Sequence, residues 1–417
     1  MLRSLLALAL ALNAAAGCGD EAADPDDGDD DGDAIAHRFG THAGYADGVI
    51  QPDRDPSSLD AATAAFYDAW KERYLEPACQ PGQLRVAYAT DGDRRTVSEA
   101  MGYGMLIAVL VAGHDPGARE AFDGLWAYVV DHPTAENADL LAWAQDDACQ
   151  DVEGSDSATD GDIDIAYALL LADAQWGSDG GVDYAAAADA RIAAILEAEV
   201  HPIADTILLG DWANDPAFLD GTRLSDQMPS HFKAFAAATG VSRWEAVSDR
   251  SYDLIAVLQE DHAPDTGLVP DFAVGADGAS PAPAPAGYLE SADDGAYSYN
   301  ACRAPWRLAT DVLLSGDERA LTAVRAMNAW VRAETSDDPS RIRAGYALDG
   351  TPLADFSSMA FTAPFAVAAM VEPSEGTNQP WLDALWGAML AAEPDGYYED
   401  TLQLLAMLVV SDNWWAP

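Results

Sequence analysis

Apolar residues recur at three- and four-residue spacing through almost the whole chain after residue 40. This is the period of an α-helix that buries one face, because about 3.6 residues complete a helical turn. The pattern predicts helices over 59–75, 99–113, 119–132, 162–177, 184–200, 224–240, 243–259, 303–316, 318–334, 357–372, 379–394 and 398–414. No long alternating stretch typical of a strand separates them, so the sequence predicts an all-α fold.

Several predicted helices are apolar on more than one face, which is typical of helices that are covered on all sides. Such helices pack either as a solenoid of stacked pairs or as a closed ring of six inner and six outer helices. The sequence has no fixed repeat period, which disfavours the solenoid. We therefore expect one domain over 41–417. Its one compositional break is the Pro/Ala/Gly-rich loop 275–297, and loops of that length are usually functional or disordered.

The N-terminal segment has the features of a secretory signal. Residues 1–17 hold one arginine, an apolar run and then small residues, and Cys18 follows in a pattern that resembles a bacterial lipoprotein cleavage site. Residues 18–40 are polar and strongly acidic, which predicts a disordered tether. We therefore expect an exported protein, either extracellular or held at the outer membrane of a bacterium by a lipid on Cys18.

The chain is strongly acidic, with 71 Asp and Glu against 21 Lys and Arg and a formal net charge of −50. Such a field repels phosphate groups, so nucleic acids and anionic membranes are excluded as partners. Neutral or cationic partners are favoured. The sequence contains no Cys-x-x-Cys or His-Glu-x-x-His spacing, so we predict no metal and no cofactor.

Three cysteines follow the predicted signal and tether. Cys79 and Cys149 both flank loop-like segments, and outside the cytoplasm two such thiols can pair. We therefore predict a Cys79–Cys149 disulfide and a reduced, buried Cys302.

Three acidic residues lie at small-residue turns that lead into apolar helices: Glu99 in "SEAMGYGM", Asp160 in "ATDGD" and Asp226 in "TRLSDQMP". One interpretation is helix capping, with Thr159 or Asp160 capping a helix that begins near Asp162. The other is a shared site, because such helix starts gather at one end of a helical ring. Clustered carboxylates with nearby aromatic rings suit glycosidic cleavage.

The segment "ATDGDIDIAYALLLADAQW" (158–176) is similar to the signature of glycoside hydrolase family 8. The segments "SEAMGYGM", "LLGDWA", "RLSDQMPSHFKAF", "YNACRAPWR" and "YYEDTLQLLAMLVVSDNWW" resemble further parts of that family in the same order. The resemblance covers the chain from about residue 45 to its end. It implies an (α/α)6 barrel and the activity of secreted bacterial endoglucanases, lichenases, chitosanases or xylanases.

The resemblance implies that Glu99 is the proton donor and that Asp160 binds and distorts the sugar in the −1 subsite. The small residues after Glu99 are expected to let a sugar ring approach closely. A helix N-terminus stabilises the ionised form of an acid. Desolvation and neighbouring carboxylates must therefore outweigh that effect if Glu99 is to carry a proton.

The chain departs from the family at the general base. Members with a well-defined base carry Asp in a Y-D-A-x-R segment, whereas this sequence has "YNACR" with Asn300, as in a subgroup that has Asn there. Some of that subgroup take a Glu from the preceding loop. Glu290 is the only Glu of loop 275–297 and is the predicted base, with Asp293 and Asp294 as alternatives. A solvated loop carboxylate is the competing interpretation.

The matched segments supply further candidates for substrate binding. Tyr103, Trp143 and Trp212 are expected to stack on sugars, and Arg223, Asn300 and Arg303 to bind hydroxyl groups or orient carboxylates. Core packing is the alternative for each tryptophan. Asp226 is expected to be structural or to support the site without touching substrate.

The resemblance implies an endo-acting, inverting hydrolase that cleaves β-1,4 linkages of a β-glucan, either cellulose or mixed-linkage β-1,3-1,4-glucan. We expect the protein to be a monomer. Chitosan and xylan are alternative substrates, and an acidic groove would suit cationic glucosamine. A catalytically impaired carbohydrate-binding lipoprotein and an α-solenoid interaction protein are the alternatives from other classes.

Overall fold

Twelve α-helices make up about half of the computed structural model, which describes residues 35–89, 92–371 and 378–417. They are α1 (Pro56–Tyr74), α2 (Ser98–Leu110), α3 (Ala118–Asp131), α4 (Thr159–Trp176), α5 (Tyr184–Ala198), α6 (Pro229–Thr239), α7 (Arg243–His262), α8 (Ala304–Ser315), α9 (Glu318–Thr335), α10 (Met359–Met370), α11 (Asn378–Ala391) and α12 (Tyr397–Val410). Each overlaps one predicted helix, so the all-α prediction is confirmed. The predicted signal, most of the tether and Cys18 lie outside the described residues.

The even-numbered helices form a closed inner ring. α2 contacts α4, and contacts continue through α6, α8, α10 and α12 until α12 returns to α2. Each odd-numbered helix packs mainly against one inner helix: α3 on α2, α5 on α4, α7 on α6, α9 on α8, α11 on α10 and α1 on α12. This arrangement is the predicted (α/α)6 barrel. It explains the helices that are apolar all round, since an inner helix has neighbours on nearly every side.

Glycines bring α2 and α4 close together. A Cβ on Gly102 would lie 2.8 Å from Cβ of Asp164, and a Cβ on Gly161 would lie 2.5 Å from the carbonyl carbon of Ser98. Only residues without a side chain fit at these contacts. The expectation that the small residues after Glu99 admit a sugar ring is therefore wrong for Gly102, which faces the neighbouring helix.

Short antiparallel strands fix the connections. They are β1 (Leu75–Pro77), β2 (Leu84–Val86), β3 (Thr96–Val97), β4 (Ala144–Gln145), β5 (Thr222–Arg223), β6 (Phe272–Val274) and β7 (Ala282–Pro283), paired as β1–β2, β3–β4 and β5–β6–β7. β3 runs directly into α2, and β7 lies inside the long loop 275–297. Because β7 pairs with β6, that loop is anchored to the body.

The compact body begins at Ile35, before the predicted boundary at 41. The ring of His37 stacks on Trp415 at 4.0 Å, and its backbone N–H donates to Gln175. These contacts bind 35–40 to the body, so the tether prediction is wrong for this stretch. Among the helices of the described part of the chain, none combines the length and apolar character that crossing a membrane requires.

The cysteine predictions are confirmed. Cys79 and Cys149 form a disulfide, and Cys302 is a buried free thiol.

Candidate active site

The N-terminal ends of α2, α4 and α12 lie at a cavity of about 780 Å³. Glu99 lies in the first turn of α2, Asp160 in the first turn of α4 and Glu399 in the first turn of α12. Seven of the predicted site residues line this cavity: Glu99, Trp143, Asp160, Trp212, Arg223, Glu290 and Asn300. The barrel therefore brings together residues that are far apart in the chain.

Glu99 is held by two donors in a largely desolvated position. Arg303 Nη1 donates to its Oε2 at 2.7 Å, and the Tyr397 hydroxyl donates to its Oε1 at 3.2 Å. Burial raises the pKa of Glu99 to about 7, against the opposing effect of Arg303. Desolvation thus outweighs both the helix terminus and the guanidinium, and the carboxyl group can hold a proton near neutral pH.

Asp160 shares Arg303 with Glu99 but has the opposite electrostatic character. Its Oδ2 accepts from Arg303 Nη1 at 2.9 Å, and its Oδ1 lies 3.5 Å from Nη1 of Arg223. Burial acts to raise its pKa, but Arg223 and Arg303 together hold the pKa of Asp160 below its ordinary value. Two neighbouring carboxyl groups whose pKa values are pushed apart are suited to different roles, one as an acid and one as a carboxylate.

The capping interpretation of the "ATDGDID" segment is wrong. α4 begins at Thr159, and its N-cap residue, Ala158, makes no side-chain capping bond. The aspartates that follow instead each pair with a buried guanidinium: Asp160 with Arg303, Asp162 with Arg191 and Asp164 with Arg307. Their carboxylates therefore join helices of the barrel.

Glu290 reaches the cavity from loop 275–297 and is held at both oxygens. Arg223 Nη2 donates to Oε1 at 3.0 Å, and Asn300 Nδ2 donates to Oε2 at 2.8 Å. Its side chain is 45% exposed, so it remains open to water and substrate. Glu290 is therefore not a loop carboxylate that contacts solvent alone. Its role as the base stays a prediction.

The two alternative bases lie elsewhere. Asp294 is buried and accepts backbone N–H bonds from Leu289, Glu290 and Ser291 at 2.7 to 3.1 Å. It shapes the turn that presents Glu290. Asp293 is exposed, and neither aspartate is among the described residues that line the cavity.

Two predicted substrate-binding residues lie behind the cavity surface. Tyr103 is fully buried and accepts a hydrogen bond from Arg303 at 3.2 Å, so its ring has no face open to a sugar, and that prediction is wrong. Arg303 is 1% exposed and lies beneath Glu99 and Asp160. It orients these carboxyl groups and cannot reach a sugar hydroxyl in this arrangement.

Trp143 and Trp212 do present surface to the cavity. The Arg94 guanidinium lies 4.8 Å from the centroid of the Trp143 ring, and Glu153 binds Arg94 at 2.6 Å. Trp212 donates from Nε1 to the carbonyl oxygen of Ser157 at 3.2 Å. Stacking of either ring on a sugar stays a prediction.

Residues beyond those predicted from the sequence also form the cavity wall. Tyr88, Arg94, Tyr299, Tyr398 and Glu399 line it, and Tyr397 bonds to Glu99. Tyr397 to Glu399 belong to the segment "YYEDTLQLLAMLVVSDNWW", whose resemblance to the family could have suggested them. Arg94 lies in none of the named segments that resemble the family, so the sequence offered no signal for it.

A helical barrel whose mouth is lined by a protonatable and an ionised carboxyl group, with aromatic rings beside them, defines a glycoside hydrolase as the class of protein. Residues 57–412 match the model of Glycosyl hydrolases family 8, and the chain belongs to this family.

Its relatives extend over nearly the whole chain. It is 47% identical over 378 residues to a beta-glucanase of Niallia circulans, covering 90% of this chain and 91% of the relative. It is 35% identical over 379 residues to an endoglucanase of Bacillus sp. (strain KSM-330), covering 89% and 80%. Its structure is similar to the apo structure of a beta-1,3-1,4-glucanase from Paenibacillus sp. X4, with a TM-score of 0.88, 45% identity and coverage of 92% and 100%.

Proposed function

We propose that the protein is an endo-acting, inverting glycoside hydrolase that cleaves β-1,4 linkages of a β-glucan, either cellulose or mixed-linkage β-1,3-1,4-glucan. The observation that carries the proposal is the pairing, in one cavity, of a protonatable Glu99 with a Glu290 held at both oxygens. The names of the relatives, beta-glucanase and endoglucanase, support a β-glucan substrate and an endo mode of attack.

In this mechanism Glu99 gives its proton to the leaving glycosidic oxygen, and Glu290 removes a proton from the attacking water. Inverting enzymes keep these two carboxyl groups ~6.5–9.5 Å apart so that the water fits between acid, base and sugar. The neighbours of Glu290, Arg223 and Asn300, both donate toward it and hold its carboxyl group at the cavity. Asp160 stays ionised and binds the −1 sugar.

We infer that the chain belongs to the subgroup with Asn at the usual base position. The hydrogen bond from Asn300 to Glu290 supports this inference, because the amide then holds a carboxylate that the loop supplies.

Chitosan is the second candidate substrate. The described residues that line the cavity include six acids, Glu99, Glu153, Asp156, Asp160, Glu290 and Glu399, against the two guanidinium groups of Arg94 and Arg223. Excess negative charge in a cleft raises the local concentration of a cationic substrate. Salt should therefore weaken activity on chitosan more than activity on a neutral glucan.

We further propose that the protein is exported as a monomer, with residues 1–17 removed and Cys18 lipidated. The Cys79–Cys149 disulfide supports export, because disulfides persist in oxidising compartments. Mass spectrometry of the mature N-terminus, with Cys18→Ser as control, tests the anchor, and light scattering tests the monomer.

Release of reducing ends from carboxymethylcellulose, mixed-linkage glucan, chitosan and xylan tests the activity. We expect the fastest release from one of the two glucans, with internal cuts. The anomer first formed, followed by NMR, should be inverted. A protein that binds these polymers without cleaving any of them would instead be a catalytically impaired binding protein.

A further inference from the structure

Behind the cavity wall formed by Ser157 and Trp212 lies a buried cluster of carboxyl groups that the proposed mechanism does not use. Its members are Asp162 of α4, Glu199 at the C-terminal end of α5, and Asp211, of which the first two are fully buried and Asp211 is 6% exposed. Each has one oxygen without a hydrogen-bond partner in the described part of the chain: Asp162 Oδ2, Glu199 Oε2 and Asp211 Oδ2.

The cluster contains more acid than base. The charged groups that face Glu199 are Asp162 from α4, Arg191 from its own helix and Asp211 from the loop before β5. Three buried negative charges around one guanidinium would be costly, and protonation of a carboxyl group removes that cost. Burial raises the pKa of Glu199 well above its ordinary value, and Asp162 and Asp211 raise it further. Both effects favour the protonated form of Glu199.

Ser157 connects the side chain of Glu199 to the cavity surface. The Ser157 hydroxyl donates to Oε1 of Glu199 and accepts from the backbone N–H of Asp211 at 2.9 Å. The Ser157 N–H donates to Asp211 Oδ1 at 2.9 Å, and its carbonyl oxygen accepts from Trp212 Nε1 at 3.2 Å. Every polar group of Ser157 is thus engaged, and both Ser157 and Trp212 line the cavity.

We propose that Glu199 is a positioning residue that holds Ser157 and through it the Trp212 side of the substrate cavity. The inference rests on the proposed function only in requiring that the cavity binds the polysaccharide. Ionised Glu199 would face Asp162 and Asp211 with only Arg191 to offset them. The wall would then shift, and affinity for the sugar chain would fall while the proton-transfer groups stayed in place.

Two substitutions separate this role from simple packing. Glu199→Gln keeps a neutral side chain of the same shape, so we expect kcat and KM on cellopentaose close to those of the wild type at about pH 6. Glu199→Ala removes the contact to Ser157, and we expect KM to rise about tenfold with little change in kcat. Glu197→Gln, on the exposed face of α5, is the matched control and should change neither constant.

The pH dependence of binding gives the second measurement. The Kd of cellopentaose is measured by calorimetry in a Glu99→Gln background, so that titration of the proton donor does not contribute. As the pH is raised, we expect binding to weaken with Glu199 present and to weaken less after Glu199→Gln.

Equal damage from Glu199→Gln and Glu199→Ala at the lower pH would overturn the inference, as would an unchanged KM in Glu199→Ala. If Glu199→Ala does not fold, Ser157→Ala breaks the same connection and must raise KM in the same way. Whether the wild type hydrolyses a β-glucan at all tests the proposed function separately. The positioning role of Glu199 is tested by the ratios of KM and Kd between the variants and the wild type, measured on whichever oligosaccharide the protein binds.

Discussion

Asn300 donates from Nδ2 to Oε2 of Glu290 at 2.8 Å, while its Oδ1 accepts from Nη2 of Arg303 at 2.8 Å. A guanidinium group can only donate, so the amide has one orientation, with its N–H groups toward Glu290. Asp271 fixes the backbone at this point by accepting N–H bonds from Ser298, Asn300 and Ala301. Asn300 cannot act as a base, but its amide positions Glu290, the carboxylate that we propose as the base.

Asn300→Asp tests this relationship. The new carboxylate would face Glu290 at hydrogen-bond distance without a proton to share, and the two negative charges would repel each other. We expect kcat/KM on mixed-linkage glucan to fall by about 10²-fold or more. In the double variant Asn300→Asp/Glu290→Gln, the Gln amide can donate to the new carboxylate, which can then take the proton from the attacking water in place of Glu290, and activity should partly return. Full activity of the single variant would show that Glu290 does not depend on the amide.

Glu99→Gln should abolish proton donation while preserving substrate binding. General acid catalysis contributes about 10²–10⁴-fold, so we expect a loss of that size in kcat with KM little changed. Glu120→Gln, in the first turn of the neighbouring α3 and exposed, is the control.

The wild type should show the matching pH profile. The acid works only while protonated, and burial raises the pKa of Glu99 to about 7, so kcat/KM should fall as the pH rises through about 7. A profile that stays flat to about pH 9 would assign the proton donor to another group.

Glu290→Gln should abolish hydrolysis, because the attacking water loses its base. Azide needs no deprotonation and is small enough to occupy the place of the water. We therefore expect azide to restore part of the turnover and to yield a glycosyl azide of inverted configuration, measured by NMR. Asp293→Asn, an exposed neighbour in the same loop, should retain wild-type activity. Near-normal hydrolysis by Glu290→Gln would remove this residue from the mechanism.

The helical ring could be predicted because burial of the inner helices leaves apolar residues on most of their faces, as in "MGYGMLIAVLVAG" of α2. The direction of individual side chains could not. Tyr103 and Glu99 are one helical turn apart on α2, yet one is buried in the core and the other lines the cavity. The periodicity places Tyr103 and Glu99 on the same face of α2, but it does not show which of the two side chains reaches the cavity.

Contacts between distant segments of the chain could not be predicted from the sequence either. Ser157 and Glu199 bond across 42 residues, and Arg303 reaches Glu99 across 204. Neither contact corresponds to a residue spacing that can be recognised in the sequence. The resemblance to a family located Glu99, Asp160 and Asn300, whereas the use of Arg303 beneath the carboxyl groups follows only from the fold.

Several buried acids make the stability of the fold depend on pH in one direction. Burial raises the pKa of Asp271 to about 7, in opposition to the backbone N–H bonds that it accepts. Three more carboxyl groups are raised to about 7 by burial: Glu99, Asp162 and Asp226. In the unfolded chain such groups titrate near pH ~4, so between about pH 4 and pH 7 the folded state retains protons that the unfolded state has lost.

The stabilisation from these protons is complete below about pH 4 and is lost as the pH rises through about 7. We therefore expect a lower melting temperature at about pH 8 than at about pH 5, beyond the effect of net charge. Asp271→Asn keeps the oxygen that accepts three backbone N–H bonds but cannot ionise, so the melting temperature should fall less between these two pH values. Asp265→Asn, an exposed aspartate, should leave the difference unchanged. Calorimetric melting of the three proteins measures this, and an unaltered pH dependence in Asp271→Asn would mean that Asp271 is already ionised in the folded state at the lower pH.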